Sequence, residues 1–277
     1  MSIKASGIPF VKASACGNDF LLIDFPRVAQ ALESFDIAEV TQQICDRHDG
    51  VGADGVEWMH PHATADVEVR LVNADGSEAE ISGNGTRCVA AYLCKERLLD
   101  KVTIQTGAGL KTCVLTERND PEYEFEVDMG KAVVSAELPV LVGGIEVRGL
   151  PVSMGNPHYV IFVRDFPGNW QVQAEKVQRS TEFKNGVNVE MVAVDGKHDL
   201  RVRFFERGVG ETRSSGTGSC ASAVAAMAAA GAESPVRVHA SGGIQTVRMQ
   251  EGRIFLRGSA RLVCRGEWFA GFKKSSH

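Results

Sequence analysis

Two short stretches, EISGNGTRC at 80–88 and RSSGTGSCAS at 213–222, each set a serine before a Gly-any-Gly turn that runs into small apolar residues. Glycines opening a helix expose backbone N–H groups and the positive end of its dipole, a cradle for a carboxylate or phosphate. Taken singly, either stretch reads as a helix start capped by serine. Taken as a matched pair, they would offer one ligand two anion cradles, each with a hydroxyl. Neither carries the lysine of a Walker-type loop, which places a carboxylate ahead of a nucleotide. Two proton-transfer groups are what inversion of a stereocentre requires, one removing the α-proton and the other returning a proton to the opposite face. Helix-end amides aimed at the α-carboxylate would absorb the carbanion's charge. No lysine in a pyridoxal-phosphate context and no metal-ligand spacing is evident in the sequence, so the expected chemistry uses no cofactor and no metal.

The elements that must hold these turns repeat with them. Ser82-Gly83-Asn84-Gly85 and Ser215-Gly216-Thr217-Gly218 are offset by 133 positions. Gly17-Asn18 opens the run FLLID, and Gly155-Asn156 opens YVIFV, offset by 138. Nine residues before each serine, a β-type run ends on a polar residue, Asn73 or Glu206. Short β-branched runs spaced by glycine predict strands over 20–24, 67–72, 102–106, 123–129, 158–163, 189–194, 200–206, 236–240, 245–249 and 253–263. Helical patterns are expected over 37–48, 86–99 and 219–231, the last closed by Gly231. The matched order of turns and runs points to a duplicated α/β unit.

Bulk properties narrow the function classes. The 277 residues suffice for one large or two medium domains, and 44% hydrophobic content is that of a globular chain. A net charge of -5 argues against nucleic acid as a partner. The absence of a long apolar run argues against a membrane partner. Seven cysteines form no CxxC pair and read as buried thiols in a reducing cytoplasm, the expected location.

Longer stretches carry a resemblance: ACGNDFLLID, HDGVGADGV, NADGSEAEISGNGTRCVAAYL, SMGNPHYVIFV, NGVNVEMV and ERGVGETRSSGTGSCASAVA. In order and over nearly the whole chain, they resemble the diaminopimelate epimerases, which interconvert LL- and meso-2,6-diaminopimelate without pyridoxal phosphate. The resemblance implies an α/β (α+β) fold of two pseudo-symmetric domains, each a curled mixed sheet or barrel around a central helix. The expected spans are 1–127 with 263–277, and 128–262. It further implies a small amino-acid substrate held between the domains, a place in lysine biosynthesis, and a homodimer. Position by position, Asn18, Asn73, Asn156, Asn188, Glu206 and Arg207 match residues that hold substrate. Gly83 with Asn84, and Gly216 with Thr217, match the carboxylate cradles. His158 matches a histidine that assists one catalytic base, and Glu206 is assigned to the other.

The departures lie at the centre. The family's two catalytic residues are cysteines, and the matching positions here are Ser82 and Ser215. Gly55 stands where many relatives have a substrate-contacting glutamine. Cys88 and Cys220 match non-catalytic positions. A thiol ionises near 8.5, whereas a serine hydroxyl must borrow a base. Three readings stay open at this point. The chain is an epimerase using hydroxyls with His158 and Glu206 as effective bases; or it is a binding form without turnover, natural or engineered; or it is a cofactor-free isomerase closer to the phenazine-biosynthesis branch. Asn18, Asn156 and Asn188 also fit simple turn-shaping roles, as do Asp54 and Asp75. Glu206 and Arg207 also fit a surface ion pair. His48, His60, His62, His198, His239 and His277 have no metal-like spacing.

Overall fold

The computed structural model describes residues 7–269; His277 and the outermost residues of the first expected domain span lie outside them. Residues up to Phe125, together with those from Ala260, make one unit, and Glu126–Ser259 make the other.

The N-terminal unit runs β1 (Ile8–Ala15), β2 (Asn18–Asp24), α1 (Phe25–Leu32), α2 (Ile37–Cys45), β3 (Gly55–His60), β4 (Val67–Asn73) and β5 (Glu78–Ala79). It continues through α3 (Gly83–Arg97), β6 (Lys101–Thr106), β7 (Gly109–Asn119) and β8 (Glu122–Gly130), whose end belongs to the second unit. β1–β2 pair antiparallel, β2–β3 parallel, β3–β4 and β4–β5 antiparallel, β4–β6 parallel and β6–β7 antiparallel. The last strand of the chain completes this sheet by pairing antiparallel with β1.

The C-terminal unit repeats the pattern. After β9 (Val133–Val134) and β10 (Leu138–Val142) come β11 (Ile145–Ser153), β12 (Pro157–Phe162), α4 (Trp170–Gln178), β13 (Asn188–Gly196), β14 (Asp199–Glu206) and β15 (Gly210–Thr212). Then follow α5 (Gly216–Ala229), β16 (Val236–Ala240), β17 (Gly243–Gln250) and β18 (Arg253–Trp268). From β11 to β17 the pairings are again antiparallel, parallel, antiparallel, antiparallel, parallel and antiparallel. The duplication read from two turns therefore extends to these six ladders of each unit.

Each unit has a helix inside its sheet. Residues 84–91 of α3 are buried without a break, and so are 218–226 of α5. A helix apolar all round must be enclosed, and Ala, Ser, Cys and Gly let strands close tightly on α5. α3 packs against β1, β2, β6 and β7; α5 packs against β11, β12, β13, β14, β16 and β17. A second layer lies outside. Leu21, Ile23, Val56 and Trp58 share a core with Val28 and Leu32 of α1 and Val40 and Ile44 of α2. In the other unit Tyr159, Ile161, Val189 and Met191 share one with Trp170, Ala174 and Val177 of α4. β2, β3, β12 and β13 are thus covered on both faces, which is why they read as continuous apolar runs.

Several element boundaries differ from the sequence reading. α3 and α5 begin three residues earlier than expected, because a capping hydroxyl organises the glycines into a first turn. α2 stops at Cys45 because the Asp46 carboxylate accepts from His48 and Asp49 N–H at 2.7 Å each, fixing a turn in place of helix. The final run continues through Trp268 as one strand. Gly231 follows α5 with φ 74°, the left-handed conformation expected of a closing glycine.

Candidate active site

Both turns build the same local structure. Ser82 and Ser215 have extended backbones, and each Oγ accepts from the N–H three residues on, Gly85 or Gly218, at 3.1 Å. Accepting that bond leaves each hydroxyl hydrogen available for another partner. The serines are therefore helix caps, as the simplest reading of one copy expects, and they also stand where the first turn's amides are presented. The second glycine of each turn is required by what lies beneath it. A Cβ on Gly85 would fall 1.7 Å from Glu57 Oε1, and one on Gly218 would fall 2.9 Å from Glu190 Oε1.

The paired asparagines hold the turns from below. Gly17 and Gly155 have φ of 86° and 101°, the conformation that lets the chain reverse just before Asn18 and Asn156. Asn84 Nδ2 donates to Asn18 Oδ1 at 2.7 Å, and Asn18 Nδ2 donates to Asp54 Oδ2 at 3.0 Å. Asp54 also accepts from Asp19 N–H and from Arg47. Asp54 is thus a framework residue rather than only a turn former. At the matched place Asn156 Nδ2 donates to Thr217 Oγ1 at 3.3 Å. Arg87, buried behind α3's first turn, donates to Asn84 Oδ1 and contacts Cys16 Sγ at 3.5 Å.

The remaining predicted residues fall into place within their own units. His158 is buried, with Nδ1 2.7 Å from Glu190 Oε1 and Nε2 3.0 Å from Asn156 Oδ1. That makes a chain from Glu190 through His158 and Asn156 to Thr217. Burial pushes the Glu190 carboxyl above the usual carboxylate range, and His158 opposes the shift. Asn188 donates to Pro157 O at 3.2 Å and accepts from Arg207 N–H at 2.9 Å, fixing the chain where Glu206 and Arg207 leave β14. Arg207 reaches back to Asn185 O at 3.0 Å. Asn73 ends β4 and donates to Ser77 Oγ. Gly55 opens β3, where a Cβ would meet Val72 O at 2.8 Å, so a glutamine does not fit this backbone unshifted. Ser82, Asn18, Asn73, Gly83 and Asn84 belong to the N-terminal unit. Ser215, Asn156, His158, Asn188, Glu206, Arg207, Gly216 and Thr217 belong to the C-terminal one.

Cys88 and Cys220 are fully buried. Burial pushes the Cys88 thiol well up, which removes it as a thiolate. Among the described residues Cys264 is the exposed cysteine. No described helix is long and apolar enough to cross a membrane.

Two residues escaped the sequence reading: Glu57, 2% exposed, and Glu190, 0% exposed. Glu57 pairs in register with Leu22, and Glu190 with Val160. Each lies 25 positions before its serine, 57 to 82 and 190 to 215, and they share the 133-residue offset of the turns. That spacing was the available signal. Glu57 Oε1 and Glu190 Oε2 have no hydrogen-bond partner among the described residues. An unsatisfied buried polar group costs about 1–3 kcal/mol.

Comparison with known proteins agrees with this architecture. The family model described as diaminopimelate epimerase matches residues 10–135 and 150–263. The chain is 34% identical over 275 residues to the diaminopimelate epimerase of Caldanaerobacter subterraneus subsp. tengcongensis, covering 93% of this chain and 98% of that one. It is 36% identical over 280 residues to that of Elusimicrobium minutum, covering 93% and 98%. In fold it is similar to a phenazine biosynthesis protein of the PhzF family from Bacillus anthracis, with TM-score 0.69, 17% identity, and 95% and 99% of the chains covered. It is likewise similar to a hydroxyproline epimerase from Agrobacterium vitis, with TM-score 0.64, 16% identity, and 96% and 92% covered. With its duplicated sheet-wrapped helices and matched capped turns, the chain belongs to the diaminopimelate epimerase family of isomerases.

Proposed function

We propose that this chain binds a diaminopimelate-like amino acid and inverts one α-carbon by two-base proton transfer, with Ser82 and Ser215 at the two proton-transfer positions. The observation that carries the reading is the repetition of one device. In each unit a serine hydroxyl caps the first turn of an enclosed helix, accepting from the N–H of the turn's second glycine at 3.1 Å. A helix N-terminus suits an α-carboxylate, and its oriented amides stabilise charge that spreads from the α-carbon onto that group. Asn18 with Asn84, and Asn156 with Thr217, keep the two turns in shape. Glu206 and Arg207, held by Asn188, supply an anion and a cation for the ammonium and carboxylate of the substrate's far end.

Serine makes the proton steps harder, because each hydroxyl needs a neighbouring base. In the C-terminal unit Glu190 and His158 provide an acid–base pair next to the turn. The serines are also what favours the second reading, a form that binds substrate without turning it over. A cytoplasmic homodimer belongs to the same proposal, and the six buried free cysteines suit a reducing compartment.

The test is conversion of LL-diaminopimelate to the meso isomer by the unchanged protein and by the Ser82→Cys, Ser215→Cys double variant. Turnover in both, faster in the double variant, supports the reading. Binding without turnover in the unchanged protein, with turnover restored by cysteine, favours the binding form. A double variant that neither binds nor converts the compound overturns the substrate assignment.

A further inference from the structure

Glu57 sits where packing alone favours an aliphatic side chain. It lies in β3 between Val56 and Trp58, which face the outer core, so its own side chain turns inward to the enclosed helix. There it is buried, and its Oε1 has no hydrogen-bond partner among the described residues. A leucine would fill such a position without desolvating a carboxyl. In the other unit Glu190 holds the matched position, and His158 satisfies its Oε1. The matched residue in β2 is Phe20, which pairs with Gly55 as His158 pairs with Asn188. Glu57 therefore keeps the acid of the pair and lacks its histidine.

The direction in which Glu57 points is fixed by Gly85. The position a Gly85 Cβ would occupy is 1.7 Å from Glu57 Oε1 and 3.3 Å from Ser82 Cβ. The carboxyl oxygen and the Ser82 side chain therefore border one small volume, kept open by a residue with no side chain. Ser82 Oγ accepts from Gly85 N–H, which leaves its hydrogen to donate. The other ionisable groups that interact with Cys88, one turn further along α3, are Arg87 on the same helix, Cys16 in the β1–β2 turn and Asp19 in β2. Burial pushes the Glu57 carboxyl up to about 8, which keeps it mostly protonated at neutral pH.

We propose that Glu57 is the proton partner of Ser82, a positioning residue that holds the proton the hydroxyl must gain or lose during epimerisation. This rests on the two-base reading above. When Ser82 Oγ takes the α-proton, its own hydroxyl proton passes to the Glu57 carboxylate, leaving a carbanion, an intact hydroxyl and a neutral acid. In the return direction Ser82 gives its hydroxyl proton to the carbanion and is reprotonated by Glu57, which ends as the carboxylate. Glu190 serves the other unit through His158, so one half-site works through a lone acid and the other through an acid–imidazole pair.

Infrared difference spectroscopy and α-carbon exchange together test the proposal. The unchanged protein at neutral pH should show the carbonyl stretch of a protonated carboxylic acid. Glu57→Gln should remove that band, and Ser82→Ala, which alters the small volume beside the carboxyl, should shift it. With LL-diaminopimelate in deuterated water, Glu57→Gln should slow α-carbon exchange by about 10²-fold or more with little change in KM. Glu57→Asp should restore part of the rate with a displaced pH profile. A band unmoved by Ser82→Ala, or exchange unaffected by Glu57→Gln, overturns the proposal and leaves the two-base reading standing. A band that responds to both substitutions in a protein that exchanges nothing supports the Glu57–Ser82 partnership and sinks the substrate reading instead.

Discussion

The two units share their ladders, their enclosed helices, their capped glycine turns and a buried glutamate beneath each turn. Beneath the turns they differ: His158 in β12 meets Glu190 at 2.7 Å, while the matched Phe20 in β2 leaves Glu57 Oε1 without a hydrogen-bond partner among the described residues. A single aromatic exchange on a common scaffold therefore produces two different acid–base environments. Burial raises both carboxyls; only Glu190 has an imidazole to draw it back. Groups whose surroundings drive their proton affinities apart are those suited to opposite roles in proton transfer. On the two-base proposal, the difference between the halves, as much as their symmetry, equips the two positions for opposite proton transfers.

Several substitutions break that contrast. The largest effect on stability is expected for His158→Phe, which gives the C-terminal unit the arrangement of its partner. Leaving a buried carboxyl without its hydrogen-bond partner costs about 1–3 kcal/mol, and more where it is charged, so denaturant unfolding should show a greater loss at alkaline pH, where Glu190 cannot escape by holding a proton. Next comes Gly218→Ala. Its Cβ would lie 2.9 Å from both Glu190 Oε1 and Phe204 Cδ1, and such overpacking should cost about 1–3 kcal/mol by thermal unfolding.

The pH dependence of stability reads Glu57 directly. Its folded-state carboxyl is raised from 4.5 to about 8, so the native state holds a proton that the unfolded chain releases. Stability from this group is full below pH 4.5, falls as pH rises toward about 8, and then levels off. The slope is at most about 1.4 kcal/mol per pH unit. Glu57→Gln should flatten it, and Phe20→His should flatten it too by supplying the missing partner. The smallest effect sharpens the symmetry: Ser82→Ala and Ser215→Ala each remove one cap and should cost similar amounts, about 1 kcal/mol.

Much of this was legible in the sequence because turns and strand ends are local signals. Gly17 and Gly155 declare reversals, Ser82 and Ser215 declare helix starts, and Asn73 and Glu206 do end their strands. The similar offsets of 133 and 138 then exposed the duplication. Glu57 and Glu190 were hidden for a physical reason. β3 and β13 are covered on both faces, so alternation disappears, and one glutamate in an apolar run shows no orientation. Only strand register places them inward. α1 and α4 escaped as well, being outer helices of eight and nine residues, too short for a clear helical period.

The most direct measurement is the isotope content of the product formed from LL-diaminopimelate by the unchanged protein in deuterated water. Two proton-transfer groups, one in each unit, require meso product carrying one solvent deuteron at the inverted α-carbon. Meso product that retains its original proton would contradict the two-base account, and bound substrate that neither inverts nor exchanges would show that the hydroxyls hold the site without performing the reaction.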